Sequence, residues 1–143
     1  MRLEVADPPL VSGYAGELRQ VFDNLIENAI DALSAGGTIW VRARDRRVGR
    51  TQHLVVRVCD NGEGIPSRLR LKIFDPFFTT KPKTGSGLGL WVTREIVQKH
   101  GGTIRVRSTH SPRRHGTIFT IVLPTLPAEV PEPRRNVIPF RLA

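Results

Sequence analysis

Between about residues 15 and 33 the apolar side chains return every three or four positions: Leu18, Val21, Phe22, Leu25, Ala29 and Leu33. That spacing describes a helix with one buried face, stopped by Gly36-Gly37. Beyond the glycines the pattern switches to period two. Ile39, Val41 and Ala43 alternate with polar neighbours up to about Asp45, and Leu54, Val56 and Val58 do the same in 54–59. These two runs read as a hairpin turning through 46–50. Two more strands are expected at 103–108 and 117–123, joined by the Pro-Arg-Arg-His-Gly turn, and a short one at Leu3-Glu4-Val5, cut off by Pro8 and Pro9. A second helix spans about 88–99 with Leu88, Val92 and Ile96 inward, and Ser67 caps a short one over 67–72. Arg42, Arg44 and Arg46, and likewise Arg105 and Arg107, take alternate positions and share the wet face of their strands. One dry face needs one cover. The expected fold is therefore a two-layer α/β sandwich, a mixed sheet of about five strands with about three helices on one face.

At 143 residues, 39% of them apolar, the chain can form one domain with a hydrophobic core. No run approaches the roughly 20 apolar residues of a membrane span, and the N-terminus lacks a basic-then-apolar export signal. Cys59 stands alone and is expected as a buried thiol. A soluble, cytoplasmic domain is the expectation. The formal charge of +9 fits nucleic acid or a polyphosphate ligand. Aromatics are few (6%) and none interleaves with the arginines as a base-stacking platform would, which disfavours nucleic acid. His53, His100, His110 and His115 show no metal-ligand spacing and are expected in loops or on the surface. After Pro124 the composition changes, with Pro127, Pro131, Pro133 and Pro139 among charges. Residues 1–124 therefore read as the domain and 125–143 as an extended, poorly ordered tail.

The chemistry lies in three places. Asp60-Asn61-Gly62-Glu63-Gly64 sets a carboxylate at the end of an apolar strand, on the side shared with Val58. A carboxylate there only accepts hydrogen bonds and matches the amine of adenine, while Gly62 and Gly64 let backbone approach a flat base. Gly85-Ser86-Gly87-Leu88-Gly89-Leu90 opens a helix, where amide N–H groups bind anions. It lacks the Gly-Lys-Ser/Thr of a P-loop and comes after a long stretch, 74–87, read as a mobile loop. The helix at 15–33 carries a polar stripe, Glu17, Gln20, Asn24, Asn28 and Asp31, beside its apolar one. An amide oxygen from Asn28 is a hard neutral ligand of the kind Mg²⁺ accepts alongside phosphate oxygens. Asp31 either holds a metal-bound water or faces solvent.

In this order, the motifs resemble those of the ATP-binding catalytic domain of bacterial two-component sensor histidine kinases, within the wider group of gyrase B, heat-shock 90 and MutL ATPases. The stretch from Gln20 to Leu33 resembles the N box, 60–64 the first glycine box, Ile73-Phe74-Asp75-Pro76-Phe77-Phe78-Thr79-Thr80-Lys81 the phenylalanine box, 85–90 the second glycine box, and Gly116-Thr117-Ile118-Phe119 the final strand. The resemblance implies Mg-ATP as ligand, with Asn28 on the metal and Asn24 assisting. It implies Asp60 on adenine, supported by Thr117, with Gly62, Gly64 and Ile65 beside the base. Gly85, Ser86, Gly87, Leu88, Gly89 and Leu90 would line the phosphates. Phe74, Phe77 and Phe78 would anchor a lid bearing Thr79, Thr80 and Lys81, with Lys81 or Lys83 reaching the γ-phosphate.

Two departures matter. The ATP-hydrolysing relatives carry a Glu one turn before the metal Asn. Here that position is Asn24, whose amide takes no proton at neutral pH, and Glu27 points about 100° away from Asn28. Many histidine kinases have Lys three residues after the metal Asn. Here Asp31 stands there, as in the subgroup resembling nitrogen-regulation kinases. No His occupies the setting of a phospho-acceptor on a helical hairpin. The chain is thus expected to be an excised domain or to act in trans, as a monomer, on a dimerisation and phosphoacceptor hairpin, with a response regulator downstream. Full-length kinases of this kind are also found membrane-anchored. The competing readings are a chaperone- or repair-type ATPase and a non-catalytic nucleotide- or nucleic-acid-binding module.

Overall fold

Eighteen residues with an apolar stripe make helix α1, Ala15–Ala32, which buries Leu18, Val21, Phe22, Leu25 and Ala29. The computed structural model describes residues 1–5, 10–48, 50–80, 85–125 and 137–139. Around α1 the chain runs β1 (Arg2–Val5), β2 (Leu10–Ser12), α1, β3 (Ile39–Val48), β4 (Thr51–Asp60), a 3-10 turn (Ser67–Leu69), α2 (Gly89–Lys99), β5 (Thr103–Ser111), β6 (Arg114–Pro124) and β7 (Val137–Pro139). The main sheet has the order β1-β3-β4-β6-β5. β1 and β3 pair in parallel, which a tight turn cannot connect, and the chain crosses between them through α1. The remaining neighbours are antiparallel.

Alternation along β4 places Leu54, Val56, Val58 and then Asp60 on the inner face. Their partners on β6 are Leu123, Ile121, Phe119 and Thr117. This face meets the helices: α1 packs on β3 and β4, α2 on β5, and the helices touch each other. Lys99 Nζ, at the end of α2, bonds Glu17 Oε1 in the first turn of α1 at 2.6 Å and lies over the Tyr14 ring. The outer face carries Arg42, Arg44, Arg46, Arg57, Arg105 and Arg107, all exposed, as the period-two pattern requires.

The two-layer sandwich with a mixed five-stranded sheet is as the sequence implies. Among the described residues it has two α-helices, because the segment after Ser67 makes only a 3-10 turn. The β3–β4 hairpin is longer than its apolar alternation, reaching Val48 paired with Thr51, because ladder hydrogen bonds do not require apolar side chains. The β5–β6 ladder likewise continues to Ser111 opposite Arg114, so His115 and Gly116 lie in a strand, not in the expected turn. On α2 the buried residues are Thr93, Ile96 and Val97, while Val92, and Leu88 just ahead of the helix, are half-buried. Cys59 faces outward, half-buried between Trp40 and Ile118 on the neighbouring strands, where burial pushes its thiol pKa up. Within the proline-rich tail, Val137–Pro139 pairs antiparallel with β2, Leu10 opposite Pro139.

Candidate functional site

β4 ends by delivering Asp60, 8% exposed, to the rim of the apolar face. Its Oδ1 accepts the Gly62 N–H at 2.9 Å and the Thr117 N–H at 3.3 Å. Oδ2 is the oxygen left to face a ligand. Burial raises the Asp60 pKa, and the two backbone N–H bonds act against that rise without cancelling it. The chain then runs through a loop stitched on both sides. Asn61 Oδ1 accepts the Thr38 N–H at 2.6 Å, and the Glu63 N–H reaches Ala32 O at the end of α1. The Ile65 N–H reaches Ser108 Oγ on β5 at 2.7 Å. Gly64 has φ +76°, and a Cβ there would overlap the Thr109 carbonyl, so this crossing of loop and hairpin requires glycine.

Asp60 opens into a cavity of about 490 Å³, within the size range of small-molecule sites, roughly 300–1,000 Å³. Asn24, Asn28 and Asp31 line one wall from α1, Gly64 and Ile65 the base, and Thr117 the β6 side. Phe78, Thr79, Thr80, Gly85, Ser86, Gly87, Gly89 and Leu90 complete the lining. Three of the predicted residues that the structure describes do not line it. Gly62 packs under the loop and serves Asp60. Phe74 packs edge-on against Phe119, with Arg94 over its ring. Leu88 precedes α2. Lys81, with Lys83, lies outside the described residues. Asp31 does face the cavity rim rather than only bulk water, and so does Glu27, despite its offset on the helix.

Asn28 Nδ2 donates to Asn24 O, one turn back, at 2.8 Å. With the amide nitrogen committed to a carbonyl, the oxygen is the end Asn28 can present to the cavity. Asn24 is engaged elsewhere. Its Nδ2 donates to Gly89 O at 3.0 Å and to Thr93 Oγ1 at 3.2 Å, fastening the first turn of α2 to α1. Thr93 is 0% exposed. The free N–H groups of that first turn are a natural anion site. Gly87, at φ +70°, sits where a Cβ would stand 2.5 Å from the Phe77 carbonyl carbon. Phe77 itself is 74% exposed at φ +64°, so its backbone packs behind Gly87 while its ring stands in solvent. Phe74 and Phe78 do the anchoring.

Among the described residues the lining holds Glu27, Asp31, Asp60 and Glu63 and no Lys or Arg. Such a wall admits a polyphosphate together with a divalent cation. No cluster of three His, Cys, Asp or Glu side chains that could hold a metal alone occurs among the described residues. A cation here would draw one oxygen from Asn28 and the rest from phosphate and water, which is how Mg²⁺ is commonly held. Sequence reasoning missed Glu63, Leu69 and His110 in the lining, and Thr93 behind it. His110 and His115 are exposed, as expected of surface groups, yet the Nδ1 atoms of His100, His110 and His115 each lie within 2.8 Å of a backbone carbonyl oxygen.

The profile of the histidine kinase-, DNA gyrase B-, and HSP90-like ATPases matches residues 13–127. Sporulation kinase A of Bacillus subtilis (strain 168) is 43% identical over 119 residues, 82% of this chain and 18% of that protein. Sensor histidine kinase ZraS of Salmonella typhi is 42% identical over 109 residues, 76% of this chain and 22% of that protein. The chain therefore spans about a fifth of the length of these curated relatives. Among solved structures, the catalytic domain of histidine kinase ThkA superposes with a TM-score of 0.74 at 34% identity, covering 88% of this chain and 80% of that one. A mycobacterial sensor histidine kinase, MprB, does so with a TM-score of 0.73 at 34% identity, covering 88% and 83%.

Proposed function

Since the chain belongs to the histidine kinase-, DNA gyrase B-, and HSP90-like ATPase family, as an ATPase catalytic domain of the sensor histidine kinase type, we propose that it binds Mg-ATP and presents the γ-phosphate to a histidine on a separate helical hairpin domain. The observation that carries this reading is the convergence on one cavity of Asp60, Asn28 and the 85–90 segment. Asp60 Oδ2 accepts the adenine amine, a contact guanine's carbonyl cannot make. Thr117 supports the base from β6. Asn28 Oδ1 would hold Mg²⁺, which would supply neutralisation of charge on the phosphate oxygens. The Gly87 and Gly89 backbone and the first turn of α2 receive the phosphates.

Phosphoryl transfer asks a protein for positioning and charge placement more than for covalent chemistry. The imidazole nitrogen of the acceptor forms the new N–P bond as the β,γ-bridging P–O bond breaks and ADP leaves. No base on this chain is needed to activate water. Asn24 stands where hydrolysing relatives carry a Glu, and its amide is used to hold Gly89 and Thr93. The phosphoacceptor hairpin, a response regulator, a monomeric state for the isolated domain and a cytoplasmic setting, where ATP is supplied, belong to the same proposal. No helix among the described residues is long and apolar enough to cross a membrane.

The test is incubation of the chain with γ-labelled ATP, Mg²⁺ and candidate hairpin domains. Acid-labile, base-stable phosphate on a hairpin histidine is the expected product. Steady phosphate release by the chain alone, abolished by Glu27→Gln, would favour the hydrolytic reading instead.

A further inference from the structure

The inner face of the β5–β6 hairpin changes character beyond the core. Val106 opposite Phe119 is its last apolar pair, followed by Ser108 opposite Thr117 and His110 opposite His115. Both strands keep these four side chains on the face that carries Asp60. Three of them grip the loop that comes after Asp60. Ser108 Oγ accepts the Ile65 N–H, the His110 Nδ1 lies 2.6 Å from Glu63 O, and the His115 Nδ1 lies 2.7 Å from Gly62 O. A carbonyl oxygen only accepts, so each ring carries its proton on Nδ1.

Two residues of the loop, Gly62 and Glu63, then have both backbone groups partnered. Gly62 gives its N–H to Asp60 and its C=O to His115. Glu63 gives its N–H to Ala32 O and its C=O to His110. The loop is thus held from α1 and Asp60 on one side and from Ser108, His110 and His115 of the hairpin on the other, with the two histidines taking carbonyls. We infer that His110 and His115 form a two-ring clamp that holds the Asp60 loop in its base-reading shape before nucleotide arrives. They are positioning residues for the adenine site, and the inference rests on Asp60 being that site. A glycine loop is costly to order. Held in place beforehand, it spares the ligand that cost, and preorganisation of this kind appears as affinity. His110 also lines the cavity. His115 does not, which makes it the cleaner probe of holding alone.

The experiment compares the 143-residue chain with its His115→Ala, His115→Asn, His115→Gln and His110→Ala/His115→Ala variants, reading ADP affinity by calorimetric titration and folding by thermal melts. Asparagine places an amide nitrogen where Nδ1 sits, and glutamine places one where Nε2 sits. Loss of one net hydrogen bond predicts a Kd for ADP raised on the order of five- to tenfold in His115→Ala. His115→Gln should match alanine, His115→Asn should return to within about threefold of wild type, and the double alanine variant should lose more than the single. Asparagine and glutamine variants with equal affinity, or a double variant binding as tightly as wild type, would overturn the clamp. If alanine destabilises the chain, the asparagine–glutamine pair still decides. Asp60→Asn runs alongside: if it alone abolishes binding, only the clamp is at stake, whereas ADP binding unchanged in Asp60→Asn removes the adenine reading and the clamp with it.

Discussion

Replacing Asp60 by asparagine should drive stability and binding in opposite directions. The two side chains have the same shape, so Oδ1 keeps its bonds from the Gly62 and Thr117 N–H groups. The change falls on the other end, where an oxygen facing the cavity becomes an NH₂ facing the adenine NH₂. One hydrogen bond to a charged acceptor is lost, about 1.5–3 kcal/mol, and donors left unsatisfied in the site cost about 1–3 kcal/mol more. The sum, about 2.5–6 kcal/mol, corresponds to a Kd raised roughly 60- to 10⁴-fold. Stability should hold or rise. Burial raises the Asp60 pKa, the mark of a carboxylate whose ionisation disfavours the folded state. Titration with ADP and Mg²⁺ reads the first effect, and thermal unfolding without nucleotide reads the second. ADP binding within threefold of wild type would refute the adenine contact. Lost binding with a parallel collapse of Tm would refute the claim that Asp60 serves the ligand rather than the fold.

Asp60 also sets a pH dependence. Its folded pKa lies above the ordinary aspartate value of 3.8, so its ionisation removes stability as pH rises through the interval between the two, and its protonation restores it as pH falls. Nucleotide affinity should run the other way, weakening as pH falls from a point above the ordinary aspartate range, and this dependence should vanish in Asp60→Asn when ADP titrations are repeated at stepped pH. Asn28→Ala should retain part of the nucleotide affinity while losing the Mg²⁺-dependent gain, measured by titrating ADP with and without the metal. Equal losses with and without metal would count against the ligand role. Gly87→Ala must place a Cβ 2.5 Å from the Phe77 backbone at φ +70°. It should weaken ADP binding at least tenfold with little change in Tm, because the strain falls on the cavity wall and not on the core. Leu25→Ala empties a fully buried position of α1 and should cost about 2–5 kcal/mol in denaturant unfolding.

Legibility in the sequence tracked the range of the interaction. Period-four and period-two patterns are local, and they set α1, α2 and the strands of the main sheet together with the face on which Asp60 and Thr117 lie. A short glycine string also speaks for itself, because few residues tolerate what Gly64 and Gly87 must adopt. Ends of elements were less legible. The hairpins outrun their apolar alternation because backbone pairing continues through Arg46, His110 and His115, whatever the side chain.

The residues around the site divide in the same way. Asn28, Asp60 and the 85–90 segment sit in motifs whose order along the chain already marks them. Thr93 under Asn24, the Phe77 backbone against Gly87, and His110 and His115 over the Asp60 loop join segments about 10 to 70 residues apart. No periodicity records such a meeting, since a histidine in a strand looks the same whether it faces water or a carbonyl. The sequence by itself therefore determined the layers, the dry face and the chemical groups offered to a nucleotide. The packing of the β5–β6 hairpin and α2 onto α1 and the β4 loop set which of those groups face the cavity and which hold the others still, because that depends on backbone polar groups finding partners far away along the chain.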